Sequence, residues 1–304
     1  MTPVRTVLDT FRQLSAALRM LLVFTVVLGV GYPLAVTAVA QIPGLHGRAE
    51  GSLLSRDGTV VGSALIGQNW SDADGNPLVQ YLQGRPSAAG DGYDPTASSA
   101  SNLGPESIVD VLPDPSAAAG TPEADGKPSL LTQVCTRSAE IGERDGVDGS
   151  RPFCSPDGTG SVLAVFWSGP GYAGTITRVV SVNQVAPATP FVGTYRGVTV
   201  RLAVPGESYA AGQVVPVRGD APADPAVPSD AVTASGSGLD PEISPAYARI
   251  QEARIAAARG VTVDQVAAVV ARYEVGPDLG FLGDARVNVL RVNLALDAAY
   301  PYRG

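Results

Sequence analysis

The sequence predicts an α+β protein: a single N-terminal transmembrane helix followed by an extracytoplasmic mixed α/β domain that carries an inserted β-rich module. Three observations lead there. Met20 to Ala40 is an uncharged apolar run. Short strand-like runs separated by Gly, Pro and Asp-Gly turns follow it. Well-capped helical patterns then close the chain.

The apolar run, MLLVFTVVLGVGYPLAVTAVA, spans roughly 30 Å as a helix, about the hydrocarbon thickness of a bilayer. Two readings compete for it. Arg5, Arg12 and Arg19 ahead of it, and Ala38-Val39-Ala40 at its end, resemble a cleavable signal peptide. Its length exceeds an ordinary signal core, however. Thr25, Gly29, Pro33 and Thr37 also recur at i+4, a stripe that lets a second helix approach closely in lipid. A retained anchor contacting a partner helix through that stripe is the expectation. Pro33 has no N–H for the Gly29 carbonyl, so a partner helix or a Thr side chain should cover that oxygen. The first 19 residues carry a net +2 and should stay cytoplasmic, leaving −10 of the formal −8 to the exported remainder.

That acidic balance excludes nucleic-acid binding, which needs a basic surface. Cys135 and Cys154 fall on the exported side, where disulfides persist, and are expected to pair. Such a bridge stabilises by roughly 3 kcal/mol in the chain-entropy picture. Two cysteines with no nearby His do not make a structural zinc site.

Along the chain, Gly51 to Gln68 places two apolar runs around Asp57-Gly58 and reads as a β-hairpin. Residues 81–89 and 93–105 are loops rich in Gly, Pro, Ser and Asn. Residues 106–129 read as a linker, and 130–217 as the β-rich module, with strands near 162–167, 175–182 and 197–204. A second Pro/Ala/Asp stretch, 219–229, closes it. Ser244, Pro245 and Gly260 bound a helix by N-cap, first-turn proline and stop. Thr262 to Gln265 is a capping box for another helix, to about Glu274, with Val266, Val270 and Tyr273 on one face. Residues 286–298 fit both periods, and helix is expected. The expected organisation is therefore a cytoplasmic N-terminus at 1–19, the helix at 20–40, the extracytoplasmic domain at 41–105 and 230–304, and an insertion at 106–229.

Catalytic machinery is not evident. Gly120 and Gly126-Lys127 miss the phosphate-loop spacing, and Pro128 stands where a hydroxyl is required. His46, the only histidine, sits just past the membrane segment, and Ala234 to Gly238 lacks the first Gly of a nucleophile elbow. No catalytic residue and no metal ligand set is assigned.

Five segments nevertheless occur in one order behind the helix: GSLLSRDGTVVGSALIGQNW (51–70), QGRPSA (83–88), YDPTASSASNLGP (93–105), VTASGSGLDPEISPAYARIQEARIAAARG (232–260) and FLGDARVNVLRVNLALD (281–297). Together they resemble the KdpC family, the C subunits of high-affinity Kdp potassium-transporting P-type ATPases. The resemblance covers 11–105 and 230–297 and says nothing of the middle, which is unusually long for the family. It implies an accessory, non-hydrolytic subunit in the cell membrane. Its implied partners are a channel-like potassium-translocating subunit, a P-type ATPase subunit and a small single-helix subunit. Potassium is the transported ion, and ATP is met only through the complex, with no tightly bound cofactor. Family members are described as catalytic chaperones that raise ATP affinity, a role that would fall on Gln68. Exported Gln68 does not share a compartment with cytoplasmic ATP, so the expected mechanism is docking at the outer pore entrance.

The loops expected to face partner or ion carry Ser99, Asn102, Ser235, Ser237 and Asp240, whose carbonyls and hydroxyls suit a hard cation or a tight interface. Tight turns that brace the fold are the competing reading. Two alternatives remain beside the family reading: a membrane-tethered module recognising an envelope ligand, and a secreted hydrolase released by cleavage after Ala40. If the middle is an appendage, deleting 130–217 should leave assembly intact.

Overall fold

The computed structural model describes residues 3–303 apart from Ser99, Ser101, Asn102, Pro115 and Ala119. The chain divides into two compact units, Met1–Leu65 and Ile66–Gly304.

In the first unit, α1 (Pro3–Val26), a π turn (Val27–Gly31) and α2 (Tyr32–Ala40) form a continuous helical rod. Thr10–Ala40 is long and apolar enough to cross a membrane, and none of it is buried. The helix thus begins well before the apolar run. The π turn falls just ahead of Pro33, whose ring clashes with the i−4 carbonyl and which donates no bond. The widened turn absorbs this, and the N–H of Tyr32 reaches back five residues to the Val27 carbonyl. After the short α3 (His46–Ala49), β1 (Leu53–Arg56) and β2 (Thr59–Ser63) pair antiparallel. Asp57 (φ 51°) and Gly58 (φ 80°) close this hairpin with the positive φ pair that Asp-Gly supplies.

The second unit has two layered parts. In one, a three-stranded antiparallel sheet runs in the order β8 (Glu242–Ile243), β10 (Arg286–Asn288), β9 (Glu274–Val275). Helices α7 (Pro245–Arg259), α8 (Val263–Arg272) and α9 (Val289–Ala299) pack with it. The core there comprises Ile243, Tyr247, Ile255, Val266, Val270, Val287, Val292 and Leu296. Ser244 caps α7 and Gly260 (φ 66°) ends it, and Thr262 and Gln265 complete the capping box of α8. Residues 286–288 form a strand, and only then does Asn288 cap α9. The segment expected to be one helix therefore carries both periods in succession.

The other part is a mixed five-stranded sheet in the order β5 (Thr194–Tyr195), β6 (Val198–Ala203), β4 (Ala173–Val185), β3 (Val162–Gly169), β7 (Gln213–Pro216). It buries both faces: Val162 and Ala164 on one, Leu163 and Val165 on the other.

Two middle segments depart from expectation. The stretch 106–129, read as a linker, is anchored at both ends. The Asp110 carboxylate accepts from the Ser129 N–H (2.8 Å) and the Thr132 hydroxyl (3.0 Å), and Ile108 and Leu112 pack on the large sheet. Within this stretch lies a single turn, α4 (Pro122–Asp125). Leu130–Asp145, read as part of a β-rich module, is the 16-residue helix α5, capped by Ser129 and stopped by Gly146 in the left-handed conformation. Its buried face, Thr132, Cys135, Ser138, Ile141, Gly142 and Asp145, is mostly small or polar, so it lacks an apolar stripe. Cys135 is disulfide-bonded to Cys154. Ile141 joins the core of α7 to α9, and the short α6 (Ser229–Val232) packs beside α5.

Candidate functional site

Buried amides set the frame of the site. Asn293 on α9 exchanges both bonds with the Leu82 backbone (2.8 and 2.9 Å), and Gln251 on α7 does the same with Gln83 (2.8 and 3.2 Å). Both side chains are fully buried and act as surrogate strands for a segment that has no sheet partner. Arg254 donates to the Val79 and Tyr81 carbonyls (2.6 and 3.0 Å). It also pairs with the fully buried Asp145 carboxylate of α5 (2.7 Å), which Arg144 reaches at 2.6 Å.

From that frame the loops at 67–68, 84–98 and 233–240 converge on Tyr93. Its hydroxyl donates to the Arg85 carbonyl. Burial, with Tyr247 and Asp240 adding to it, pushes the Tyr93 hydroxyl well above its ordinary range, so it stays a donor. Gly67 and Gly84 are required by closeness: a Cβ would come within 2.4 Å of the Tyr93 side chain at either position. Arg85 pairs with Asp240 at 2.8 Å. Ser235, almost fully buried, donates its N–H to the Pro86 carbonyl (2.8 Å), and its hydroxyl accepts from Gly238 and Asp240. Ser237 accepts from the Leu239 N–H (3.1 Å). The carbonyls of Ser237, Gly238 and Leu239 accept from Ser98, Ser87 and Gly67 respectively.

The structure thus brings together Gln68, Ser235, Ser237 and Asp240; Ser99 and Asn102 lie outside the described residues. Three carbonyls that could have faced an ion are engaged in bracing one loop against another. Tyr93, Arg85 and the Asp145–Arg254 pair were not singled out from sequence. Only the motifs QGRPSA and YDPT hinted at the first two, and long-range ion pairs leave no local pattern.

Gln68 lines a cleft of about 890 Å³ with Trp70, Arg85, Tyr93, Arg144 and Tyr247. The arginines that line the cleft are already engaged within the fold. Arg85 is bound to Asp240, Arg144 to Asp145, and Arg137 to the Val232 carbonyl and Gln133, while Glu140 and Glu143 add negative charge to the wall. Among the described residues no cluster of three or more His, Cys, Asp or Glu could hold a metal.

On the other unit, Thr25, Gly29, Pro33 and Thr37 stay on one side of the rod because of the π turn. An α-helix advances about 100° per residue and a π turn about 80°, so the offset between Thr25 and Thr37 falls from about 120° to about 20°. A Cβ at Gly29 would meet only the Thr25 methyl, at 3.8 Å.

An apolar rod long enough to cross a bilayer, on a chain whose other unit is braced through loops, has the make-up of a membrane-anchored protein. The family model described as KdpC, K+-transporting ATPase c chain, matches residues 14–109 and 209–298. A potassium-transporting ATPase KdpC subunit of Kineococcus radiotolerans is 37% identical over 293 residues, 96% of this chain and 97% of its own. The KdpC subunit of Mycobacterium tuberculosis is 36% identical over 286 residues, 94% and 98% of the two chains. That of Beijerinckia indica is 35% identical over 281 residues, 92% and 91%. The chain belongs to the KdpC family. These alignments run through the middle that the family model leaves unmatched, so the long middle is shared with these relatives.

Proposed function

We propose that this chain is the accessory, non-hydrolytic subunit of an ATP-driven high-affinity potassium uptake complex, docking at the outer pore entrance of a channel-like subunit. Potassium is the transported ion of the ATPases named for its relatives, and membership of that complex follows from the family. In this reading the N-terminus is cytoplasmic, because the arginine-rich flank precedes the apolar rod. The Ile66–Gly304 unit lies outside, in keeping with its Cys135–Cys154 disulfide.

The observation that carries the reading is the aligned face Thr25/Gly29/Pro33/Thr37. It suits close packing against helices of a larger membrane subunit, the channel-like one or the P-type ATPase subunit, with the small single-helix subunit completing the assembly. The braced loops around Tyr93, which carry Ser235, Ser237 and Asp240, serve in this reading as a stiff protein-facing surface beside the pore. Support of the ATPase subunit then comes through assembly, not through nucleotide contact at Gln68.

Gly29→Leu should lower recovery of the intact complex several-fold, whereas Val27→Leu, off the stripe, should leave it near wild type. Because nothing within the rod crowds Gly29 except the Thr25 methyl, a loss reports the partner rather than the fold. Equal recovery of the two variants, measured by affinity purification of the tagged chain with its partner subunits, would reduce the rod to a passive tether.

A further inference from the structure

The hairpin loop between β9 and β10 carries Leu279, Phe281 and Leu282, which are 82%, 75% and 50% exposed. The first two are the most exposed large apolar side chains among the described residues of the Ile66–Gly304 unit. Exposed single apolar residues are ordinary, but three within four positions on one tip are not.

This tip is not a slack loop. Asp278 and Leu282 exchange two backbone hydrogen bonds, each 2.9 Å, and the Gly280 N–H donates to the Pro277 carbonyl at 3.0 Å. Arg286, at the base in β10, reaches the Asp278 carboxylate at 3.3 Å, the Glu242 carboxylate at 3.3 Å and the Gly276 carbonyl at 3.4 Å. Leu279 sits at φ 54°, a left-handed conformation that a leucine adopts only when its surroundings hold it there. The fold therefore fixes the apolar triplet outward.

A fixed shape matters for entering a pocket in another folded protein, where little ordering is then left to do on binding. A lipid phase makes no demand on shape. The rim also argues for a protein partner. On the hairpin and at its base Glu242, Glu274, Asp278 and Asp284 outnumber Arg272 and Arg286, so the rim stays net acidic even with Arg286 paired to Glu242 and Asp278, which opposes an anionic lipid surface and complements basic groups. We propose that Pro277–Gly283 is a preformed knob whose Leu279, Phe281 and Leu282 seat in an apolar, basic-rimmed pocket on another subunit of the same potassium-transporting ATPase. The proposal rests on the reading that this chain works as part of that complex, and adds a contact distinct from the rod and from the loops around Tyr93.

Both native cysteines are in the disulfide, so Phe281→Cys provides a single thiol for a benzophenone maleimide in the full chain. Tyr172→Cys, on the turn between β3 and β4, is the control, being exposed and outside the tip. In membranes containing the assembled complex, illumination should join position 281 to an ATPase subunit identified by mass spectrometry, about tenfold more than position 172. Adducts with lipid alone, or equal yields at the two positions, would overturn the knob. Leu279→Ser combined with Phe281→Ser should leave the Tm of the purified chain unchanged and lower complex recovery by about tenfold, as loss of an interface anchor does. Undiminished recovery of that double variant defeats the knob alone. Failure of the wild-type chain to co-purify with any ATPase subunit defeats the proposed function as well.

Discussion

Around β10 the buried contacts are apolar. Val287 lies between α7 and α9, with Val266, Val292 and Leu296 closing the layer. Along α5 the same core is met by a different material: the buried face carries Thr132, Cys135, Ser138, Gly142 and Asp145, with Ile141 its one buried large apolar side chain and Val134 packed half-buried beside it. A disulfide, a capped terminus and a buried carboxylate shared by two arginines fasten this helix. The apolar layer tolerates small errors of geometry, because burial energy depends on area and not direction. The α5 seam does not, because an ion pair taken out of water is stable only while each partner keeps its mate. A middle segment joined in this way is built into the unit, and deleting 130–217 would strand Arg254 without Asp145 and remove Ile141 from the core.

The contrast can be broken most forcefully at Asp145. Asp145→Ala leaves two partly or wholly buried guanidinium groups uncompensated and is expected to destabilise by about 3–5 kcal/mol. In a unit of this size that corresponds to a fall in Tm of roughly 10 °C by differential scanning calorimetry. Leu296→Ala, in the apolar layer, should cost a comparable ~2–5 kcal/mol through its cavity. A repair distinguishes them: adding Arg254→Met to Asp145→Ala should recover part of the loss, since it removes the more buried of the two stranded guanidinium groups. No recovery would mean that α5 is held by packing alone.

Next in size is the disulfide. Cys135→Ser with Cys154→Ser should lower stability by about 3 kcal/mol, the chain-entropy value for a loop of this length, while far-ultraviolet circular dichroism keeps its native helix content. An unchanged Tm would place the fastening of α5 wholly in its polar contacts.

The smallest effect concerns pH. Burial works to raise the Asp157 carboxyl, but hydrogen bonds from Ser155, Gln184 and Thr159 outweigh it and hold the group below its ordinary value. The contribution to stability is thus present above the unfolded pKa, near 4, and is lost as pH falls through the folded one. Between pH 6 and pH 3 the Tm of Asp157→Asn should fall less steeply than that of the wild type. Parallel curves would remove Asp157 from the acid sensitivity of the large sheet.

Local chemistry made much of the molecule legible. Ser244, Pro245 and Gly260 bound α7 because a cap, a fixed φ and a left-handed stop act within one turn. Thr262 and Gln265 did the same for α8, and Asp57-Gly58 for the first hairpin. Residues 286–298 were legible only in part, since alternation and helical period overlap there until Asn288 separates strand from helix. For α5 the available signals were Ser129 and Gly146 at its ends, but the missing apolar stripe hid it among strand-like neighbours.

By itself, then, the sequence determined the apolar rod, the capped helices, the hairpin turn and the order of motifs that marks the family, all of which depend on residues near one another along the chain. Only the tertiary structure decided how loops more than 130 residues apart close on Tyr93, and that α5 belongs to the main core. Those outcomes depend on distance in space: a glycine where a phenol ring passes within van der Waals contact, a carboxylate buried against an arginine more than 100 positions away. No short stretch of sequence encodes them.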